Sequence, residues 1–355
     1  MKYKVHIHHN SFQKVKKYQR ALALQEKTPG AYLQEFLHGK ELSTLAAEDF
    51  LELLVRTKKP QIFAESGITR DGSDWNLDEL SILGDVGISV PVTVFDNGKW
   101  SNPQVHPAPF PAELLFIPGA LLAGRGHVVP VDQQEVTLNG TIDEAAYYRL
   151  YERRLLPLFV HANEVSAQKG RQALITIPGI GCGFFAGQFK SVLKPILEKI
   201  LFAFLEKQHA RFTHIRAVYF DPNSGLENAR HEFSHLSFLT RPLRAGNQEK
   251  PQLCPPENYE EGEDDFSNCD LFSVVAWDHV SWPGNDFYID SRNSDDGVKA
   301  AATSSMAVLT GLEGKYTPRT NKYAPPAGYP TWKEVVHQNK IQLQVKGNLS
   351  VVDQL

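Results

Sequence analysis

The chain has 355 residues, 42% of them hydrophobic and 22% charged, which is the composition of a globular protein with ample core, and its length fits one large domain or two. A formal net charge of −4 leaves no basic footprint for nucleic acid, no apolar run reaches membrane-spanning length, and the N-terminus lacks a signal-peptide pattern, so neither a nucleic acid nor a membrane is expected as partner. Three cysteines, Cys182, Cys254 and Cys269, make no disulfide framework and have no paired metal spacing, and the expected address is a reducing cytoplasm.

Residues 1–60 read as a helical N-terminal extension. A strand over 3–8 precedes helical patterns at 12–24, 31–37 and 45–55. His6, His8 and His9 lie in and just after that strand, but no cysteine or carboxylate accompanies them and a metal site is not expected. From residue 61 to the end the pattern changes to that of a second domain built on a sheet. Short apolar runs at 62–64, 88–95 and 114–117 read as strands, with Asp71-Gly72, Asn97-Gly98 and Asn139-Gly140 as turns. Thr141-Ile142-Asp143-Glu144 has capping-box spacing and predicts a helix carrying Tyr148, Tyr151, Leu155, Leu158 and Phe159 on one side, with a kink at Pro157.

Residues 173–187 read A-L-I-T-I-P-G-I-G-C-G-F-F-A-G, a β-type run that breaks at Pro178 into Gly179, Gly181 and Gly183 and closes at Gly187 before a helical pattern begins. Alternating glycines let backbone N–H groups converge on an oxygen cluster, and a helix start adds unpaired donors and the positive end of its dipole, so a diphosphate is the expected guest. A tight strand-to-helix turn that binds nothing is the competing reading. The stretch is neither a P-loop nor G-x-G-x-x-G. Next, Leu193, Ile196, Leu197, Ile200, Leu201 and Phe204 repeat at helical spacing and 215–220 reads as a buried strand, which completes a β-loop-α-β unit of an α/β fold. Phe220 and Asn223 lie at the strand end where open α/β sheets bind ligands, so they are candidate nucleoside contacts unless Asp221-Pro222-Asn223 is a plain turn.

Residues 244–269 are rich in proline and acids and are expected as a mobile surface insertion, or else a docking surface for a basic partner. The apolar run 271–277 leads into Trp277-Asp278 and on to Asp286, then to Ser294-Asp295-Asp296-Gly297 and a helical pattern stopped at Gly311. Asp278 ends a strand, Asp286 follows a Pro-Gly turn and Asp296 sits at a helix start, so three carboxylates are expected to meet at the sheet mouth, although helix capping by itself explains an aspartate there. Beyond them, 315–330 reads as a proline-rich extended tail and Thr331-Trp332-Lys333-Glu334 as the start of a last helix.

Two of these stretches resemble known families. The glycine run, Gly179, Ile180, Gly181, Cys182, Gly183, Phe184 and Phe185, resembles the phosphate loop of macrodomains, and its Gly181–Gly187 part especially that of poly(ADP-ribose) glycohydrolases. Asp278, Asp286 and Asp296, spaced eight and ten apart, are similar to the acidic triad of the MavL family of macrodomain effectors. The resemblance implies a macrodomain-like mixed sheet covered by helices, with ADP-ribose held by the glycine loop and the three aspartates catalytic. It further implies removal of mono-ADP-ribose from an arginine of an ADP-ribosylated protein such as ubiquitin, with no cofactor. The chain departs from common macrodomains in lacking Asn-Ala-Ala-Asn, and from the glycohydrolases in lacking Gly-Gly-Gly followed by paired glutamates, which argues against polymer cleavage.

Glycosidic chemistry gives clustered acids a use. Carboxylates stabilise an oxocarbenium-like state, activate water, protonate the leaving group and pair bidentately with a guanidinium. Two alternatives stay open: a module that binds ADP-ribose without cleaving it, and an enzyme with Cys182 as nucleophile and His279 as base.

Overall fold

Runs such as Leu174–Ile177 have no polar face, and they occupy the middle of a nine-stranded mixed sheet in a computed structural model that describes residues 3–62, 74–124 and 129–353. In chain order the strands are β1 (Lys4–His8), β2 (Val86–Asp96), β3 (Val105–Pro118), β4 (Thr137–Leu138), β5 (Thr141–Ile142), β6 (Gln172–Pro178), β7 (Ile215–Asp221), β8 (Ala229–Phe233), β9 (Leu236–Thr240), β10 (Cys269–Trp277), β11 (Lys315–Thr317), β12 (Lys322–Ala324) and β13 (Leu349–Val352). The main sheet runs β13-β1-β2-β3-β10-β6-β7-β9-β8, while β4 pairs with β5 and β11 with β12. Its central strands β3, β10, β6, β7 and β9 are parallel, so their C-terminal ends gather at one edge. The strand expected over 62–64 lies mostly, and the Asp71-Gly72 turn wholly, outside the described residues.

Period-two alternation divides each central strand between two cores. Leu174 and Val275 face one, and Ile175 and Val274 the other. Leu155 and Phe159 of helix Glu144–Lys169 and Leu197 and Leu201 of helix Leu193–Gln208 cover the second face. Asp143, not Thr141, caps helix Glu144–Lys169 by accepting from the Ala145 and Ala146 amides, and Gly170, at φ 64°, ends it in the left-handed region. No helix among the described residues is long and apolar enough to cross a membrane.

Three expectations need correction. Residues 1–60 are not a separate extension: β1 lies inside the sheet between β13 and β2, and Tyr3, Val5 and Ile7 are core residues. The acidic segment 244–269 is packed rather than free. Glu261 pairs with Arg241 at 2.7 Å and Asp264 with Arg230 at 2.7 Å, and Leu253, Tyr259 and Phe266 of the same segment are buried, so the stretch that looked like a solvated loop is tied to the fold by two ion pairs and an apolar underside. Residues 315–324 form the β11–β12 hairpin rather than an extended tail, and Thr331 does cap the helix Trp332–Gln338.

Candidate functional site

Pro178 closes β6, and the chain then turns through Gly179–Gly183 at the C-terminal edge of the sheet. Gly181 sits at φ 73°, and a Cβ there would lie 2.8 Å from the Tyr151 hydroxyl and 3.0 Å from the Ala120 nitrogen, so only glycine fits. The loop is braced from behind. Tyr151 donates to the Ile180 carbonyl (3.0 Å) and accepts from the Ala120 amide (3.1 Å), and the Leu122 amide donates to the Phe185 carbonyl (2.7 Å). Gly183 is different, since nothing lies within 4 Å of where its Cβ would be. The expected helix start does not follow directly: Phe184–Phe189 is a 3₁₀ turn, the α-helix begins only at Leu193, and none of its first-turn residues lines the cavity described next.

A cavity of about 350 Å³ opens beside this loop. Gly179, Gly181, Gly183, Phe184 and Phe185 form one wall, and Trp277, Asp278, Asp286, Asp295 and Asp296 another. The glycine loop and all three predicted aspartates therefore share one space. Ile180 and Cys182 do not line it, their side chains being buried in the core. Asn223 is also absent from the lining; it is an exposed turn residue at φ 63° whose amide donates to Asp221, and Phe220 is wholly buried. Asp221-Pro222-Asn223 is thus a plain turn.

The three aspartates have different surroundings. Asp278 is filled by protein donors: Oδ1 accepts from the Val280 (2.7 Å) and Ser281 (2.6 Å) amides, and Oδ2 from the Ser281 hydroxyl (2.5 Å) and Asn285 Nδ2 (3.2 Å). A carboxylate offers about four lone-pair positions, so no room is left for a guanidinium fork. Asp286 accepts from the Asn293 (2.7 Å) and Ser294 (3.1 Å) amides and from the Ser294 hydroxyl. A Cβ at residue 297 would stand 2.1 Å from its Oδ1, which accounts for Gly297.

Asp296 is the exception. Ser294 caps the helix Asp295–Ala302, so Asp296 is free of that duty. Its Oδ1 accepts from the Gly284 amide (2.6 Å), whereas its buried Oδ2 has no partner among the described residues. Burial, followed by the nearby charges of Asp286, Asp278 and Asp295, raises its carboxyl well above the usual range. The neighbouring Asp295 is half-buried. Its Oδ2 accepts from the Ala276 amide (2.8 Å) and pairs with the Lys299 ammonium (3.1 Å).

Sequence reasoning missed Lys58. It is buried with its ammonium 4.0 Å from the centre of the Trp277 ring and 2.6 Å from the His279 carbonyl, and burial pulls its pKa down to about 7 against the opposing pull of Asp278. Backbone hydrogen bonds from Lys59 to Val280 and Trp282 stitch this segment to the acid segment. A link of 221 positions leaves no local pattern to find. The Cys182 alternative finds no support, since burial pushes that thiol up to about 12 and neither Cys182 nor His279 lines the cavity.

A family model described as macrodomain effector MavL matches residues 3–329, a span that includes both walls of the cavity. No curated protein matches the chain.

Proposed function

The chain belongs to the MavL macrodomain effector family, and from that premise we propose that it is an ADP-ribosyl hydrolase acting in the cytosol on mono-ADP-ribosylated arginine of a protein, with ubiquitin the protein implied by the resemblance described above. The observation that carries this reading is Asp296. Its carboxyl, raised well above the usual range by burial and with one buried oxygen unpartnered, belongs to the lining of a cavity that also includes a glycine loop suited to a diphosphate.

In this reading the glycine loop holds the diphosphate and the distal ribose projects toward the aspartates. The conjugate enters as a guanidinium; as the bond between ribose C1 and its nitrogen breaks, the electron pair stays on that nitrogen, Asp296 gives it a proton, and the arginine leaves as a guanidinium. Water forms the new bond to C1, and its proton passes to Asp286, which accepts three protein hydrogen bonds and keeps one lone-pair position open. Transfer from Asp286 to Asp296 restores the starting state with no net proton gained or lost. Asp278 holds the 280–285 turn in place.

A second reading is supported by the filled oxygens of Asp278, which leave that member of the triad no part in the chemistry: a module that binds ADP-ribose without cleaving it. The test is mass spectrometry of ubiquitin carrying ADP-ribose on arginine, after incubation with the protein, beside conjugates linked through serine and glutamate. The hydrolase reading expects release from arginine, with free ADP-ribose and unmodified arginine as products. Intact conjugates at high enzyme concentration, together with measurable ADP-ribose binding, support the binding module.

A further inference from the structure

Recognition of an arginine conjugate needs a negative charge with an open oxygen near the scissile bond. On the ADP-ribose reading above, on which this inference rests, none of the three aspartates of the triad offers that oxygen. Asp278 has four donors on its two oxygens. Asp286 has three and is wedged against Gly297. The unpartnered oxygen of Asp296 is buried, and burial raises its carboxyl well above the usual range, which disfavours the charged form that a cation needs.

Asp295 meets the requirement. Its side chain keeps 27% of its surface exposed and lines the cavity. Oδ2 is committed to the Ala276 amide and to Lys299, whereas Oδ1 has no protein donor among the described residues. Lys299 does not swing across to cover it, because the buried ammonium is also held by Gln252 Oε1 (2.6 Å) and by the Val274 carbonyl. The unpartnered Oδ2 of Asp296, the next residue, marks the same cavity as a place where a ligand supplies the missing contacts.

We propose that Asp295 is the specificity-determining residue of the site: its Oδ1 receives the guanidinium of the modified arginine and sets the protein's preference for a cationic acceptor side chain. The pair is partly exposed and is screened by salt.

Asp295→Asn tests this, because an amide oxygen still accepts from the Ala276 amide and Lys299 while the charge is gone. The probes are ADP-ribose, an ADP-ribosyl-arginine peptide and an ADP-ribosyl-serine peptide, titrated calorimetrically in an Asp296→Asn background so that they stay intact. The arginine conjugate is expected to bind at least about tenfold tighter than the serine conjugate when Asp295 is present, a gap worth about 1.4 kcal/mol. Asp295→Asn closes that gap and leaves the ADP-ribose Kd within about twofold, since the diphosphate is held elsewhere. A gap that survives the substitution, or no gap with Asp295 in place, overturns the assignment. As a check independent of any change at Asp295, raising salt from about 0.05 to about 0.5 M narrows the gap, and an unchanged gap also overturns it. Failure of the hydrolase reading is recognised separately, as no ADP-ribose released by the unaltered protein, and leaves the binding comparison valid.

Discussion

Burial, with three other acids nearby and a single backbone donor to offset them, raises the Asp296 carboxyl well above its ordinary range. The consequence for stability has a definite sign. An unfolded aspartate loses its proton near pH 4, whereas the folded one holds it to a much higher pH, so this group's contribution is complete below about pH 4 and is lost as pH rises toward the folded value. Asp296→Asn does not titrate. The melting temperature of the variant minus that of the unaltered protein is therefore expected to increase between about pH 5 and about pH 8, read by differential scanning fluorimetry. Lys58, pulled down to about 7, acts in the opposite direction above that pH, but it is common to both proteins and cancels in the difference. A difference that stays flat across the range contradicts a protonated Asp296. Asp278 teaches the converse lesson: its place at a strand end made it look free, and only the positions of Val280, Ser281 and Asn285 reveal that its oxygens are taken.

At the scale of elements, the cavity is two loops held apart by rigid supports. The glycine loop leans on Tyr151 and on residues 119–122, and a Cβ at Gly119 would stand 2.7 Å from the Gly181 nitrogen. The acid segment is anchored at its far end by Arg292, whose two terminal nitrogens fork onto Asp96 at 3.1 and 2.9 Å just before the Asn293 and Ser294 amides that hold Asp286. Gly183 has no support to disturb. A side chain there enters open space, so Gly183→Asp is expected to leave the melting temperature nearly unchanged while setting a carboxylate against the diphosphate. It should weaken ADP-ribose binding by at least about a hundredfold, or about 2.7 kcal/mol. Unchanged affinity in calorimetry removes the diphosphate from this loop. The glycine spacing, the helix at 193–208 and the strand ends were legible because they are local patterns of chain geometry and apolar period. The 3₁₀ turn at Phe184–Phe189 was not, since an aromatic-rich run before a helix carries no mark of when the helix will start.

For the whole molecule, what local patterns hid was pairing across long distances. β1 and β13, from opposite ends of the chain, lie side by side in parallel, and Lys58 reaches the acid segment beneath Trp277. Local patterns show a helical N-terminus and an acidic insertion; the sheet absorbs the first, and Arg230 and Arg241 each tie one acid of the second to the fold. The α/β class survives because the β-loop-α-β unit fixes the parallel centre, and the glycine loop and the aspartates share one cavity because both loops leave the same edge of that sheet.

The central claim is that this edge binds ADP-ribose at one wall and cuts its link to protein at the other. Its most direct test is the single-turnover rate of ADP-ribose release from ADP-ribosyl-arginine ubiquitin, followed by mass spectrometry beside the ADP-ribose Kd, for the unaltered protein and for Asp296→Asn. The account predicts release by the unaltered protein, and for the variant a rate lower by at least about a hundredfold, the usual weight of a general acid, with Kd changed by no more than about threefold. A variant that cleaves at the original rate, or one that loses binding and cleavage together, contradicts it.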